Sequence, residues 1–385
     1  MQIVSTDEWD PEFFASFNAI HAKLYGADPW VLNESVSDLA QLFGPTSDFA
    51  KDYYWRAWIA IERQEPTARL IACCHKHGAT KFVSVGFLEC LQDLDVAAKL
   101  FNAAEVWAQQ RSDQQDCELR WPIQGHFFNG YRAPLHTNNR PPFLGEPHIP
   151  TQHIELVERL GYRLTERWET LELKRLDASQ KLQHIWSRVE KRWAQEEITI
   201  RGIRPDHWQE ELALLHEMFH ESFDAMPNFT PISESLFYQQ FESFKHFADP
   251  DLALIAERNG RAEAFVIGYF DPMPAIAKHQ ARMAGAFGKV PGFSLLSQLL
   301  MLKQLKSTNT NLLIPYIGKR ASATAPWIVG ALGYELHKRL GKRNIETAKI
   351  CYLSERSAVR RSLPNTYEVV GEYGLYQKTI SLAAG

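Results

Sequence analysis

Apolar positions along the chain fall into two successive series of the same elements. In the first, Phe13, Phe14, Phe17, Ile20 and Leu24 recur at helical spacing and stop at Gly26. Asp28-Pro29-Trp30-Val31 reads as a turn. The apolar runs Trp58–Ile61 and Leu70–Cys74 flank Gln64-Glu65-Pro66-Thr67 and predict a β-hairpin. Phe82–Leu88 predicts a further strand, and Val96, Leu100, Ala103, Ala104 and Trp107 an amphipathic helix after it. Ile154, Leu156, Val157 and Leu160 mark a helix stopped by Gly161, and Trp168–Leu173 a closing strand.

The second series repeats that order. A helix is expected over Trp208–Phe223, then a hairpin from Leu252–Ala256 and Ala264–Phe270 about Arg258-Asn259-Gly260-Arg261. Leu312–Ile317 predicts a strand, Trp327, Ile328, Leu332, Leu336 and Leu340 a helix, and Ala348–Leu353 another strand. Tyr367 to Ile380 predicts a terminal strand pair about Gly371 or Gly374. Between the series, Leu182, Ile185, Trp186, Val189 and Trp193 form one apolar face of a charged helix. One plan met twice is an internal repeat at domain scale. It predicts domains at 1–175 and 198–385 with a helical connector at 176–197.

Length and charge bound the class. A chain of 385 residues has room for two domains. A net charge of −4 does not point to nucleic acid or to a membrane surface. The N-terminal residues lack the basic-then-apolar order of a signal peptide, and no apolar run reaches the ~18 residues of a membrane helix. Five cysteines, odd in number and without a C-x-x-C pair, fit a reducing cytoplasm. The expectation is a cytoplasmic protein acting on a small molecule, with no nucleic-acid or membrane partner; oligomeric state is not read from these features.

Two stretches carry candidate chemistry. Trp121–Pro147, rich in Pro, Gly and Asn, reads as a long loop. Its His126, Phe128, Tyr131, Arg132, Arg140, Phe143 and Glu146 either line a cleft or pack against one another at the surface. The second stretch begins at the strand Leu312–Ile317, continues through Gly318-Lys319-Arg320-Ala321-Ser322-Ala323-Thr324-Ala325, and enters a helix with Pro326 at its first position. A small-residue, basic loop between a strand and a helix N-terminus is suited to an anion, because amides and the helix dipole face it there. An ordinary strand-to-helix turn has the same form.

Arg320-Ala321-Ser322-Ala323-Thr324-Ala325 resembles the Q/R-x-x-G-x-G/A loop of the GNAT superfamily of acyl-CoA-dependent N-acyltransferases, with Ala323 at the middle glycine. Ala resists the positive φ that Gly accepts, and its methyl narrows the space for pyrophosphate. The first half resembles a bacterial GNAT-like group through Gly86-Phe87-Leu88, Trp121-Pro122-Ile123, Arg140-Pro141-Pro142-Phe143 and Leu160-Gly161-Tyr162. The second resembles the partner half of such proteins through Asn228-Phe229-Thr230-Pro231, Asp249–Ala256, Glu355-Arg356-Ser357 and Tyr373–Lys378, with Ser357 where Asn is usual.

The resemblance implies an α/β fold of two GNAT-like domains in tandem, each a mixed central sheet flanked by helices. It implies acyl transfer from acetyl-CoA or another acyl-CoA to a small amine or amino-acid-like substrate, without a metal. The residues it assigns to the CoA are Ile317, Gly318, Lys319, Arg320, Ala321, Ser322, Ala323, Thr324 and Ala325. Those it points to for proton transfer are Glu355 as base and Tyr373 and Tyr316 as acids, with Tyr352 and Tyr376 nearby in the same pattern. The first half has no such loop after Phe82–Leu88 and reads as degenerate for CoA. The alternative is a catalytically silent tandem that binds CoA or a metabolite.

A third reading comes from His216-Glu217-Met218-Phe219-His220, an H-E-x-x-H string on a helix, which is the pattern of a zinc hydrolase. Its third ligand would come from Glu221, Glu234 or Glu242. The competing reading is structural, since Leu212, Leu215, Phe219 and Phe223 form a core stripe on the same helix.

Overall fold

The computed structural model describes residues 1–381 other than 33, 77–81, 92–93, 112–115, 139, 175–179, 194, 197, 247, 288–309, 324, 326, 342, 344, 358, 361–362 and 364–366; the side chains of 180–185 and 283–287 also lie outside the description. The first half contains β1 (Gln2–Thr6), α1 (Pro11–Tyr25), α2 (Val36–Phe43), α3 (Phe49–Asp52), β2 (Tyr53–Glu62), β3 (Glu65–His75), β4 (Phe82–Cys90), α4 (Leu94–Arg111), β5 (Asp116–Trp121), β6 (Ala133–His136), α5 (Thr151–Arg159) and β7 (Arg163–Lys174). The helix α6 (Gln180–Trp193) follows. The second half contains β8 (Ile198–Gly202), α7 (Trp208–Phe223), α8 (Glu234–Phe241), β9 (Ala253–Arg258), β10 (Arg261–Phe270), α9 (Met273–Phe287), β11 (Asn311–Lys319), α10 (Ile328–Leu340), β12 (Thr347–Ser354) and β13 (Glu368–Ser381).

The thirteen strands among the described residues belong to one mixed sheet in the order β1-β2-β3-β4-β5-β13-β7-β12-β11-β10-β9-β8, with β6 beside β13. The closing strands are exchanged. β7 ends the first half but lies against β12 of the second, with Ile350 opposite Leu171. β13 ends the second half but lies against β5 of the first, with Tyr376 opposite Trp121. The two also pair with each other, Tyr373 opposite Trp168.

The terminal strand pair expected about Gly371 or Gly374 is instead one continuous strand of 14 residues, β13. The register slips at Val369/Gly371 and at Leu375/Tyr376. Gly371 is there for close approach, not for a turn: a Cβ on it would lie 2.3 Å from the Tyr373 hydroxyl oxygen. The pattern of apolar runs also passed over β1, β5, β8, α2 and α8. β1 and β8 are five residues each, too short to show an alternation.

Local chemistry fixes several element starts. The Asp10 side chain accepts from the Glu12 and Phe13 amides at the start of α1, and Ser35 with Asp38 forms a capping box on α2. The connector helix α6 packs on α10, where Trp186 lies 4.5 Å from His337 and 5.6 Å from Tyr334 between ring centres. The largest core cluster takes residues from both halves, among them Phe14, Trp55, Phe127, Phe128, Phe219 and Phe237.

A buried ionic group sits between α1, β3 and β4. The Arg69 guanidinium, 2% exposed, contacts Glu89 at 2.7 Å and Glu34 at 2.5 Å, and His21 Nδ1 lies 2.7 Å from Glu89. Burial works against the Glu89 carboxylate, but the Arg69 charge and the His21 hydrogen bond outweigh it and hold its pKa below the ordinary value. Its contribution is therefore complete above the ordinary carboxylate range and is lost as pH falls through the folded value. Glu89→Gln leaves Arg69 its contact with Glu34 and should destabilise the fold by about 1.5–3 kcal/mol at pH 7, the range for hydrogen bonds to charged groups. In urea unfolding, the gap between variant and wild type should narrow once the pH is lowered below the ordinary carboxylate range.

Candidate active site

β11 and β12 run parallel in register from Asn311 opposite Thr347 to Ile314 opposite Ile350, and no further. The next residue on β11 is Pro315, which has no N–H to give a neighbouring strand. On β12, Tyr352 takes a left-handed backbone at φ 59, and the pairing with β7 slips between Ile350 and Leu353. The strands part there. A cavity of about 820 Å³ faces the opening, lined by Tyr316, Cys351 and Tyr352 from the second half and Arg132, Phe143 and Glu146 from the first. That volume falls within the range of small-molecule sites.

The equivalent gap in the first half is closed. β4 and β5 pair only from Phe82 opposite Glu118 to Ser84 opposite Arg120. Beyond that point the Ile123 amide donates to Val85 O at 2.9 Å and the Phe87 amide to Gln124 Oε1 at 2.5 Å. The chain after β5 thus fills its own half's gap. Only glycine fits at Gly86, where a Cβ would lie 2.1 Å from Ile123 O.

The same segment then crosses to the second half. The Phe127 amide donates to Thr230 Oγ1 at 3.0 Å, and Phe128 packs on Phe219, Phe229 and Phe237. Of the two roles open to Trp121–Pro147, different residues take different ones. Phe127 and Phe128 enter the shared core and border the cavity from there, and Arg132 and Glu146 line it without joining that core.

Glu146 is held on every side. Arg140 contacts it at 2.7 and 2.5 Å, the Phe143 amide donates to it at 3.2 Å, and the Tyr373 hydroxyl donates to it as well. The Tyr352 hydroxyl donates to Gly145 O at 2.9 Å. Tyr316 stands against Phe219, ring centres 5.1 Å apart. Burial pushes its pKa up to about 12, with the Arg132 charge opposing, so the phenol keeps its proton at neutral pH. Burial also pushes the Cys351 thiol up, which leaves it a thiol and not a nucleophilic thiolate.

The residues singled out from the sequence are not all brought together. Tyr316 and Ile317 line the cavity. Tyr373 is fully buried behind it and reaches it through Glu146. Glu355 lies in the exposed turn after β12 and is not among the lining residues. Gly318 and Lys319 belong to β11 and pair with Phe265 and Ala264. Ala321 and Ser322 form an exposed turn, Ala323 and Ala325 are buried, and Thr324 lies outside the described residues, as does Pro326.

Arg320 does not offer its charge outward. Its amide donates to Glu263 O, its Nε to Ala262 O at 2.8 Å, and its Nη1 to Glu217 at 2.8 Å, with Glu221 at 3.4 Å. The Ala323 amide is also spent, on Arg320 O. Two carboxylates therefore stand beside the one guanidinium of this loop.

Both imidazoles of the H-E-x-x-H string are engaged with backbone groups. His216 and His220 do share a face, ring centres 4.0 Å apart. His216 Nε2 donates to Ile232 O at 2.9 Å. His220 Nε2 accepts from the Ile232 amide at 3.1 Å, which leaves Nδ1 as the donor to His216 O at 2.7 Å. The imidazoles pin the segment before α8 onto α7, and Glu217 serves Arg320. Among the described residues no group of three or more His, Cys, Asp or Glu is placed to hold a metal. No helix among them is long and apolar enough to cross a membrane.

No family model matches the chain. Over 382 residues it is 23% identical to Protein YghO of Escherichia coli (strain K12), across 95% of this chain and 92% of that one. A tandem GNAT protein from the clavulanic acid biosynthesis pathway, solved without acetyl-CoA, is similar with TM-score 0.50 at 10% identity over 98% of both chains. A GCN5-related N-acetyltransferase from Anabaena variabilis is similar with TM-score 0.51 at 7% identity over 98% of this chain and 72% of that one. The fold is that of the tandem GCN5-related N-acetyltransferases, as the sequence resemblance implied.

The contacts of Arg320 make a stability prediction. Arg320→Ala leaves Ala262 O without its donor and brings Glu217 and Glu221 together unopposed. It should cost about 1.5–3 kcal/mol, the range for hydrogen bonds to charged groups. Glu217→Gln removes only an exposed partner and should cost less than about 1 kcal/mol. Thermal or urea unfolding of both variants checks the order.

Proposed function

We propose that the protein is an acyl-CoA-dependent N-acyltransferase whose acyl donor enters the gap between β11 and β12. The observation that carries this reading is the gap itself: two parallel strands that part at Pro315 and open on a cavity of about 820 Å³, in a fold of the GNAT type. The strand edges released there have backbone groups free to pair with a ligand lying between them. In the reaction, the neutral amine attacks the thioester carbonyl, the C–S bond breaks, the nitrogen loses a proton and the departing sulfur gains one. Tyr316, protonated and lining the cavity, is the acid for that sulfur. The acceptor is a small amine and the acyl group is acetyl or longer.

The residues assigned to the CoA divide in their fit. Ile317 borders the gap, and Lys319 has no carboxylate at ion-pair distance among the described residues. Arg320 is neutralised by Glu217 and Glu221, and the Ala323 methyl occupies the loop. Those two observations favour the second reading, a tandem that has kept the fold and binds a ligand without turnover. The supporting features of the first are the open gap and the protonated Tyr316.

Two measurements separate the readings. Steady-state release of free CoA from acetyl-CoA, with amines as acceptors, should show turnover, and Tyr316→Phe should lower kcat by about 10²-fold or more, as for loss of a general acid. No turnover with any acyl-CoA would sink the enzymatic reading. Calorimetric titration of CoA into wild type and Ala323→Gly tests the loop, and the variant should bind more tightly. Absence of binding in both would leave a tandem with a ligand other than CoA.

A further inference from the structure

Arg132 is set in the cavity wall in an unusual way. Its backbone is left-handed at φ 102, and it follows Gly130 and Tyr131 in the loop that crosses from the first half. A non-glycine residue in this region costs energy that the surrounding structure must hold. Its guanidinium carbon lies 3.6 Å from the centre of the Tyr131 ring, 4.2 Å from Tyr352 and 4.9 Å from Trp168. One Nη donates to the Tyr131 hydroxyl. Its Nε is buried with no acceptor. Among the described residues no carboxylate reaches it at ion-pair distance, in contrast to Arg69, Arg140 and Arg320, each of which has at least one.

Three aromatic rings and a strained backbone thus hold a planar cation whose donors are largely unused, at the wall of the cavity. Resting on the acyltransferase reading, we propose that Arg132 binds a carboxylate of the acceptor, so that the substrate is an amine that also carries a carboxylate, of the amino-acid class. A planar fork fits a carboxylate in a bidentate manner.

The other anion available is a phosphate of the donor, and position argues against it. Arg132 rests on Tyr352, two residues past the last paired position of β12. The loop at Arg320 is six residues past the last paired position of β11, about 20 Å at ~3.3 Å per residue. Arg132 is therefore beside the parting of the strands, where the acyl group would react, and not at the phosphate end.

Binding without any acyl-CoA tests this separately from turnover. The probes are the twenty proteinogenic amino acids and their carboxamides, in thermal-shift and then calorimetric titration. At least one amino acid should stabilise the wild type while its carboxamide does not. Arg132→Gln should weaken that amino acid at least tenfold. Arg132→Lys, which keeps the charge and loses the fork, should fall between and keeps the test open if the Gln variant folds poorly. Equal binding of the carboxamide, no carboxylate-dependent shift across the panel, or unchanged affinity in folded Arg132→Gln would each overturn the proposal. So would loss of CoA binding in that variant with amino-acid binding unchanged, which would assign Arg132 to the donor.

Discussion

The exchange of the two closing strands governs the rest of the structure. β7 and β13 lie side by side, and each borders the fifth strand of the half it does not close. The consequence is a hydrogen-bonding one. β12 is satisfied along one edge by β7, from Thr347 opposite Lys174 to Ser354 opposite Trp168. Its other edge can then leave β11 after Ile350 without the strand losing both of its neighbours. A gap in the middle of a continuous sheet is sustainable because the exchanged strand holds the wall on its far side.

The same exchange makes the cavity a joint product of the halves. Tyr373, on the last strand of the chain, sends its hydroxyl to Glu146 of the first half, and Arg140 closes the other side of that carboxylate. Glu146 is saturated by these contacts, so it anchors the wall and is not free to act as a base. The segment that brings Arg132 and Glu146 begins by plugging its own half's gap through Ile123 and Gln124. Closing one gap and furnishing the other are the work of one stretch of chain. The cavity has a wall from each half of the chain.

Much of this arrangement is written locally and could be read that way. The helices at Phe13–Leu24 and Trp208–Phe223 and both hairpins follow from spacing and turn residues, and the structure has them as α1, α7, β2–β3 and β9–β10. The strand exchange has no local signature. β7 and β13 have the composition of any closing strand, and which neighbour each takes is settled by contacts about 200 residues apart, such as Tyr373 opposite Trp168. Gly371 misled for a related reason. Its want of a Cβ makes room for the hydroxyl of Tyr373, two residues further along the same strand, a packing need that looks like a turn in one dimension. The loop residues Arg132, Arg140 and Glu146 were visible as cleft candidates. Their division of labour was not, because it depends on which cation meets which carboxylate in space.

Charge pairing shows the same limit at the two motifs on α7 and after β11. Read singly, His216-Glu217-Met218-Phe219-His220 suggests a metal and Arg320–Ala325 an anion. In the fold the two strings answer each other: Glu217 and Glu221 of the first neutralise Arg320 of the second, and the two histidines bind the backbone at Ile232. A guanidinium with two carboxylates beside it presents little attraction to a phosphate, whatever the loop sequence resembles. In the cavity the balance is reversed. Glu146 is cancelled by Arg140, and Arg132 has aromatic faces in place of a counter-ion. An unspent positive charge therefore lies at the wall where the strands part, whereas the Arg320 side chain offers none. Recognition of an anion is expected to follow the unspent charge.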